Sequence, residues 1–407
     1  MEEALKIWNA IVKEASKFQV LEGENKGKVL NPVIDDFYQR ETAFAAKIFA
    51  AEFLRTNEEP FYDRAKASIN TIEKELAITS FYEGSDEPVI TPRGIKYRKG
   101  SIPATIILLE AALEASELLS ISLEIKYDQL INYMRNCYIG NGEFYHDALS
   151  DKAFRKKAPY VVNTSAMIYY FLQVIRLHKP GVDLSSFCLK EIRSRIFSSI
   201  RGDGFFPYIG PGAFQKMLYY CSYLIPKKII FFYDKAIGDK SVFFGDALHH
   251  CVALYYLLKG LHISKSNPSK REKLMICKAW TFVVDKFKYN PDDSISFDFT
   301  WEPKPRVYRH GGFIDTATYF YILQIMEYLT QLKLLEKSDA EKYETGLVKF
   351  IEKELLLSDR EKLCISPQQG PESIIEKLIP RPAESVYKRG ALMADFILGK
   401  TFANKNI

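Results

Sequence analysis

Cysteine is scarce in this chain, with six in 407 residues, and Cys137, Cys188, Cys221, Cys251, Cys277 and Cys364 are scattered with no C-x-x-C pair. That spacing excludes a disulfide framework and reads as buried free thiols in a reducing compartment. Long apolar runs are also missing. No stretch approaches the roughly 18 residues a membrane span needs, so no transmembrane segment is expected. The N-terminus, MEEALKIWNAIVKEASKF, reads as an amphipathic helix and lacks a basic stretch followed by an apolar one. It is not a secretory signal, and a cytoplasmic address is the expectation. A net charge of +5 and no basic run longer than three exclude nucleic acid as a partner. Neither GxGxxG after a strand nor GxxxxGK[ST] occurs, which sets nucleotide-binding α/β enzymes aside.

Aromatic residues, by contrast, are plentiful: 28 Phe and 25 Tyr, enough for a thick core or a ring-lined groove. Nearly every long segment has helical periodicity, and no strand-like alternation is sustained. Apolar helices rich in small residues start near Glu41, Ser101, Asn163, Ser241, Gly312 and Glu384. Their starts recur roughly every 60 to 80 residues, the mark of an internal repeat. Helices apolar on nearly all sides should be buried. Amphipathic partners lie near 61–77, 124–138, 184–200, 268–288 and 339–357, with the charged side facing water.

Six inner helices and five outer ones leave one partner missing. The N-terminal helix, 3–17, supplies it beside the last inner helix. The expectation is therefore an all-α fold, a single closed toroid of six helix hairpins over 1–407. Short aromatic segments (KFQV, SFYE, EFYH, FFPY, SFDFTW) follow most outer helices, and the next inner helix often starts about 20 residues later. The long connections thus gather on one face and the short ones, such as RTNEEP and HKPGVD, on the other. A scaffold with one decorated face carries its site there. One connection carries an apolar aromatic insert at about 210–238, including AFQKMLYYCSYLIPKKIIFFYDK. It reads as a lid or an extra helix over the rim; peripheral membrane contact through 214–233 is the alternative.

This layout resembles the six-hairpin, (α/α)6-toroid class of carbohydrate-active proteins: glycoside hydrolases, the helical domains of polysaccharide lyases, and sugar epimerases. The resemblance rests on architecture over the whole chain, and no catalytic residue is carried over from it. It implies sugar chemistry. Terpenoid cyclases share related toroids but need DDxxD-like signatures, and Asp35-Asp36 and Asp292-Asp293 are isolated pairs. A lanthionine-cyclase-like zinc site is poorly matched by His250-Cys251. No metal or other cofactor is expected.

The candidate site residues cluster at the inner-helix entries. A Tyr–basic–Gly element recurs at Tyr97-Arg98-Lys99-Gly100, Tyr308-Arg309-His310-Gly311 and Tyr387-Lys388-Arg389-Gly390. Arg98, Arg309 and Arg389 near helix N-termini would form a cationic well for carboxylate, sulfate or phosphate. The alternative is repeated rim ion pairs. His146, His249, His250 and His310 fall at the same mouth, and histidine suits proton transfer near neutrality. Asp246 and His249, spaced i to i+3, read as a carboxylate–imidazole dyad or a satisfied core pair. Asp315 stands out with Asp246 as a carboxylate in a first apolar turn. Trp301 and Tyr208 are candidate sugar-stacking platforms, and Asn163 joins Tyr97, Arg98, Tyr308, Arg309, His310, Tyr387 and Arg389 in an inventory suited to a lyase or epimerase. The expected function is an enzyme on an acidic oligosaccharide or polysaccharide intermediate, by elimination, hydrolysis or epimerisation, with His310, Tyr308, Asp246 and His249 catalytic. A non-catalytic toroid binding an anionic glycan or protein, and a terpenoid- or lipid-type toroid enzyme, are the alternatives.

Overall fold

A computed structural model describes residues 2–32, 35–78, 85–91, 94–146, 161–207, 245–298, 300–302, 314–355, 368–369, 381–382 and 386–405. Of 85–91, 94–99, 245–246, 300–302, 314–316, 354–355, 368–369, 381–382 and 402–405, only the backbone is described.

Among the described residues there are twelve α-helices. Six form an inner ring: Gln39–Thr56, Ile102–Leu118, Val162–His178, Ala247–Ile263, Thr316–Gln331 and Tyr387–Lys405. Each packs on the next, and the sixth packs on the first. Outside them lie Glu2–Phe18, Glu59–Leu76, Tyr127–Cys137, Leu189–Ser199, Lys270–Val284 and Lys337–Phe350, the last running into a π-turn, Ile351–Leu355. The expected all-α toroid is thus the observed fold. No helix among the described residues is long and apolar enough to cross a membrane.

The ring closes through the N-terminal helix. Its buried stripe, Ala4, Ile7, Trp8, Ile11, Val12 and Ala15, follows the helical repeat. The Trp8 indole donates to Glu52 Oε2 at 2.7 Å, holding this helix to the first inner one. On its other side Gly390 of the last inner helix sits so close that a Cβ there would lie 2.5 Å from Ile11 and 2.6 Å from Ile48. Tyr387 adds a hydroxyl bond to the Leu30 carbonyl, 3.2 Å long.

Two local devices repeat around the ring. At the short-loop end, inner helices stop at left-handed residues that are not glycine: Ser120, Lys265 and Lys333. Each is followed by the six-to-one bond of a Schellman turn, Ile121 N–H to Ser116, Ser266 to Leu261 and Leu334 to Leu329. At the other end, the turn after an outer helix leans on the backbone of the next one. A Cβ at Gly27 would meet Ala67 O at 2.3 Å, one at Gly142 the Ile192 Cα at 2.7 Å, and one at Gly204 the Lys278 O at 2.2 Å. Gly204 also has φ +96°, so alanine would meet both backbone strain and a clash. Gly204→Ala is expected to cost at least about 2 kcal/mol, read as a lowered urea midpoint. An unchanged midpoint would show that this turn is not latched to the neighbouring helix.

The structure departs from the sequence reading at the entries to the inner helices. Ser85–Thr91 and Gly94–Ser101 form an antiparallel hairpin, joined by Arg381–Pro382 as a third strand. Val89, Ile90, Thr91, Ile95 and Tyr97 are residue types of high strand propensity, and the third strand comes from far along the chain. Tyr97 and Arg98 therefore lie in a strand, opposite Pro88 and Glu87, not in a helical turn. The second inner helix starts after Ser101, whose hydroxyl caps Ala104 N–H at 3.3 Å. Because the strand 381–382 leads towards the sixth inner helix and 85–101 towards the second, this small sheet links connections on either side of the first.

Candidate functional site at the mouth of the ring

Within the ring, a few charged side chains of the otherwise apolar inner helices meet in one network. Lys47 bonds Glu114 at 2.5 Å and Asp395 at 2.8 Å. Lys259 bonds Glu114 at 2.5 Å and also Glu110, whose other oxygen accepts from Tyr256 OH at 2.6 Å. Tyr255 OH completes the Lys259 shell at 3.0 Å. Four of the six inner helices are thereby tied across the axis by one network, which closes the lumen partway down.

The charge states follow from the number of partners each carboxylate has. Burial pushes Glu110 above the ordinary carboxylate value, and the single ammonium of Lys259 only partly offsets it. Burial acts the same way on Glu114, but Lys259 and Lys47 together outweigh it and hold this carboxyl at about 2. Burial opposes the charge on Lys259, yet Glu110 and Glu114 keep it firmly protonated. Burial likewise raises the phenols of Tyr170, Tyr255 and Tyr256, so they act as neutral hydrogen-bonding groups.

Above this floor lies a cavity of about 20 Å³, walled by Phe44, Ile107, Tyr321 and Lys388. It has room for a single small group, so any larger ligand would have to sit higher, among the first turns of the inner helices. Lys388 is nearly buried there, its ammonium 5.9 Å from the Tyr321 ring centre. Asn163 lies two helical turns before Tyr170 and so on the same stripe. Its side-chain carbonyl is buried with no hydrogen-bond partner, as are the hydroxyls of Thr164 and Ser165. Buried polar atoms left unpaired are uncommon and ask for an explanation.

The sequence-chosen residues are distributed as follows. His249 is half-buried in the first turn of the fourth inner helix, and Asn163 and Arg389 occupy the first turns of the third and sixth. Arg389 is fully buried, and it is its neighbour Lys388 that lines the lumen cavity. Asp246 is not inside its helix: it stands in the strand Gly245–Asp246, paired with Thr300, because the helix begins at Ala247. That pairing brings the backbone of Trp301 beside the entry of the fourth inner helix. Asp315 likewise stands in a strand, opposite Gln368, ahead of Thr316. Tyr208, Tyr308, Arg309, His310 and the insert at about 210–238 lie outside the described residues.

His250 is a structural residue. Its Nδ1 accepts from Phe206 N–H at 3.0 Å, which leaves the proton on Nε2 facing the Ala279 carbonyl at 3.2 Å. The rings of Phe205, Phe206 and Phe282 enclose it. The residues that the sequence reading passed over are Lys47, Glu110, Glu114, Lys259 and Asp395, and Lys388 was noted only as part of the Tyr–basic–Gly element. Their signal was present as isolated charges inside apolar helices, with Glu110 and Glu114 spaced i to i+4 and Lys388 and Asp395 spaced i to i+7.

Comparison with protein-family models and with curated sequences returns no match. Solved structures do match over nearly the whole chain. An unsaturated glucuronyl hydrolase specific for heparin is 9% identical, with TM-score 0.61, covering 100% of this chain and 97% of its own. Cellobiose 2-epimerase from Bacillus thermoamylovorans is 10% identical, with TM-score 0.60, covering 96% and 99%. An α-1,6-mannanase of Salegentibacter, solved with α-1,6-mannotetrose, is 11% identical, with TM-score 0.56, covering 97% and 98%. These likenesses establish the six-hairpin toroid fold.

Proposed function

We propose that this chain is a carbohydrate-active enzyme that takes an acidic oligosaccharide at the mouth of the ring, above the ionic floor. The observation that carries this reading is the buried, unpartnered carbonyl of Asn163, on the same stripe as Tyr170. A sugar hydroxyl is a donor of the right kind to satisfy it. Lys388 supplies a desolvated cation for the acidic group of the substrate. His249 stands at the same end and is the side chain proposed to move a proton. Asp246, Tyr97, Arg98, Trp301 and Arg389, with Tyr208, Tyr308, Arg309 and His310, complete the proposed set. Glycan-acting proteins of the same shape, a glucuronyl hydrolase, an epimerase and a mannanase, support a sugar as substrate.

The reaction class is read by incubating the protein with neutral and uronic-acid oligosaccharides in deuterated water and weighing the products. Fragments that together gain a water mean hydrolysis. Fragments that gain none and carry an unsaturated ring mean elimination, and deuterium uptake without cleavage means epimerisation. No change in any glycan would overturn the reading. Replacing Lys388 tests the acidic preference. Lys388→Met is expected to raise KM for a uronic substrate roughly 10- to 100-fold, the worth of one charge-assisted bond. An equal loss on neutral glycans would count against an acidic substrate.

A further inference from the structure

At the end of the ring opposite the mouth, a cleft of about 630 Å³ opens between two outer helices, Leu189–Ser199 and Lys270–Val284. That volume falls within the range of small-molecule sites. Its walls are built with helical regularity. Tyr169, Gln173 and Arg176 form one stripe of the third inner helix, and Lys190, Arg193 and Phe197 one stripe of the first outer wall.

Among the described lining residues, positive charge exceeds negative. Glu272 is the carboxylate that lines it, and Arg193 occupies both of its oxygens, at 2.8 and 2.9 Å. The Ser269 N–H also donates to it, at 2.7 Å. Against this acid stand four cations. Among the described residues, Arg176 meets only the neutral Gln173, at 3.5 Å, while Lys190 and Arg271 are exposed and carry no ion pair. Two helices also begin here, at Leu189 and Lys270, and their N-termini add to the positive field. Ser194, Ser198 and Ser264 line the cleft, the hydroxyls of the last two donating to the Arg195 and Leu261 carbonyls and keeping their lone pairs as acceptors, and Tyr169, Phe197 and Met275 supply apolar surface.

We propose that this cleft binds an anionic carbohydrate, a hydroxyl-bearing ring with a carboxylate or phosphate, at a site separate from the mouth. The unpaired cations take the acid, the serines and Gln173 take hydroxyls, and the apolar surface takes a ring face. Nothing in this assignment requires the mouth to be catalytic, so absence of glycan turnover would leave it standing.

The test is ligand-observed NMR on the full chain with digalacturonate, glucose 6-phosphate and inorganic phosphate. At least one sugar anion is expected to bind, and whichever does so names the acidic group. The double variant Lys190→Ala/Arg271→Ala, altered at two exposed positions, is expected to keep its urea midpoint and to bind roughly 10-fold more weakly or worse. Three outcomes would overturn the proposal. Neither sugar anion binds; or the double variant binds as well as the parent, placing the ligand elsewhere; or inorganic phosphate competes as strongly as the sugar, leaving an anion site without carbohydrate recognition.

Discussion

Removal of residues 1–19 is expected to leave a chain with no cooperative unfolding transition, recovered largely as insoluble protein. Ile7, Trp8, Ile11 and Ala15 are all fully buried. At about 1.5 to 3 kcal/mol for each large side chain, the lost contacts approach the whole stability of an ordinary domain, about 5 to 15 kcal/mol. The loss extends beyond the helix itself. Glu52 loses the Trp8 indole, and the Gly390 face of the last inner helix loses Ile11. Trp8→Ala gives a graded version, with an expected cost of about 3 to 5 kcal/mol in urea unfolding. A soluble, monomeric truncation with the parent midpoint would mean that the ring does not depend on this helix to close.

Loss of Lys259 should be nearly as damaging. Lys259→Met leaves Glu110 and Glu114 buried beside one another without the ammonium they share, and breaking a buried ion pair from one side costs about 3 to 5 kcal/mol. The pH dependence identifies the cause. In the parent, Glu114 is held at about 2 against an ordinary 4.5, so its contribution is present above 4.5 and is lost as pH falls through about 2. Glu110 is raised, so its contribution is complete below 4.5 and is lost as pH rises through its folded value. In Lys259→Met both carboxyls lose a cation, both shift upward, and the stability optimum should move to lower pH. The double variant Lys259→Met/Glu110→Gln should recover part of the loss, because the two residues are in direct contact. A uniform drop at every pH, with no recovery in the double variant, would point to lost packing instead.

The ring was legible because hydrophobic periodicity carries it. Helices such as 102–118 and 162–178 are apolar on nearly every side, and a 60- to 80-residue repeat leaves few ways to bury them. The unpaired count of inner and outer helices placed the N-terminal helix at the seam. The hairpin 85–101 was not legible, because its third strand, 381–382, lies far along the chain and no local pattern announces it. The helix stops at Ser120, Lys265 and Lys333 were hidden for a different reason: they use residues other than the glycine that usually marks such turns. At the site, sequence reasoning looked for chemistry at the helix entries and reached Asn163 and His249. It passed over the ionic floor because Lys47, Glu110 and Lys259 each look like a stray charge until four helices bring them to one axis. It preferred Arg389 to Lys388 for its bidentate guanidinium fork, and only the folded ring shows Lys388 lining the cavity while Arg389 is buried.

The seam has a consequence for how the protein is made. While the chain emerges, the N-terminal helix soon finds one flank, through Trp8 to Glu52 and Gln19 to Ser68. Its other flank waits for Glu352 and for the helix 387–405. At about 5 to 20 residues per second, that interval lasts roughly 20 to 80 s. Throughout it, Ile11 lacks its last partner and the partial ring has two open ends. Stalled or C-terminally clipped chains should therefore be the species that chaperones and proteases recognise, and the last inner helix acts as the keystone whose arrival ends that exposure.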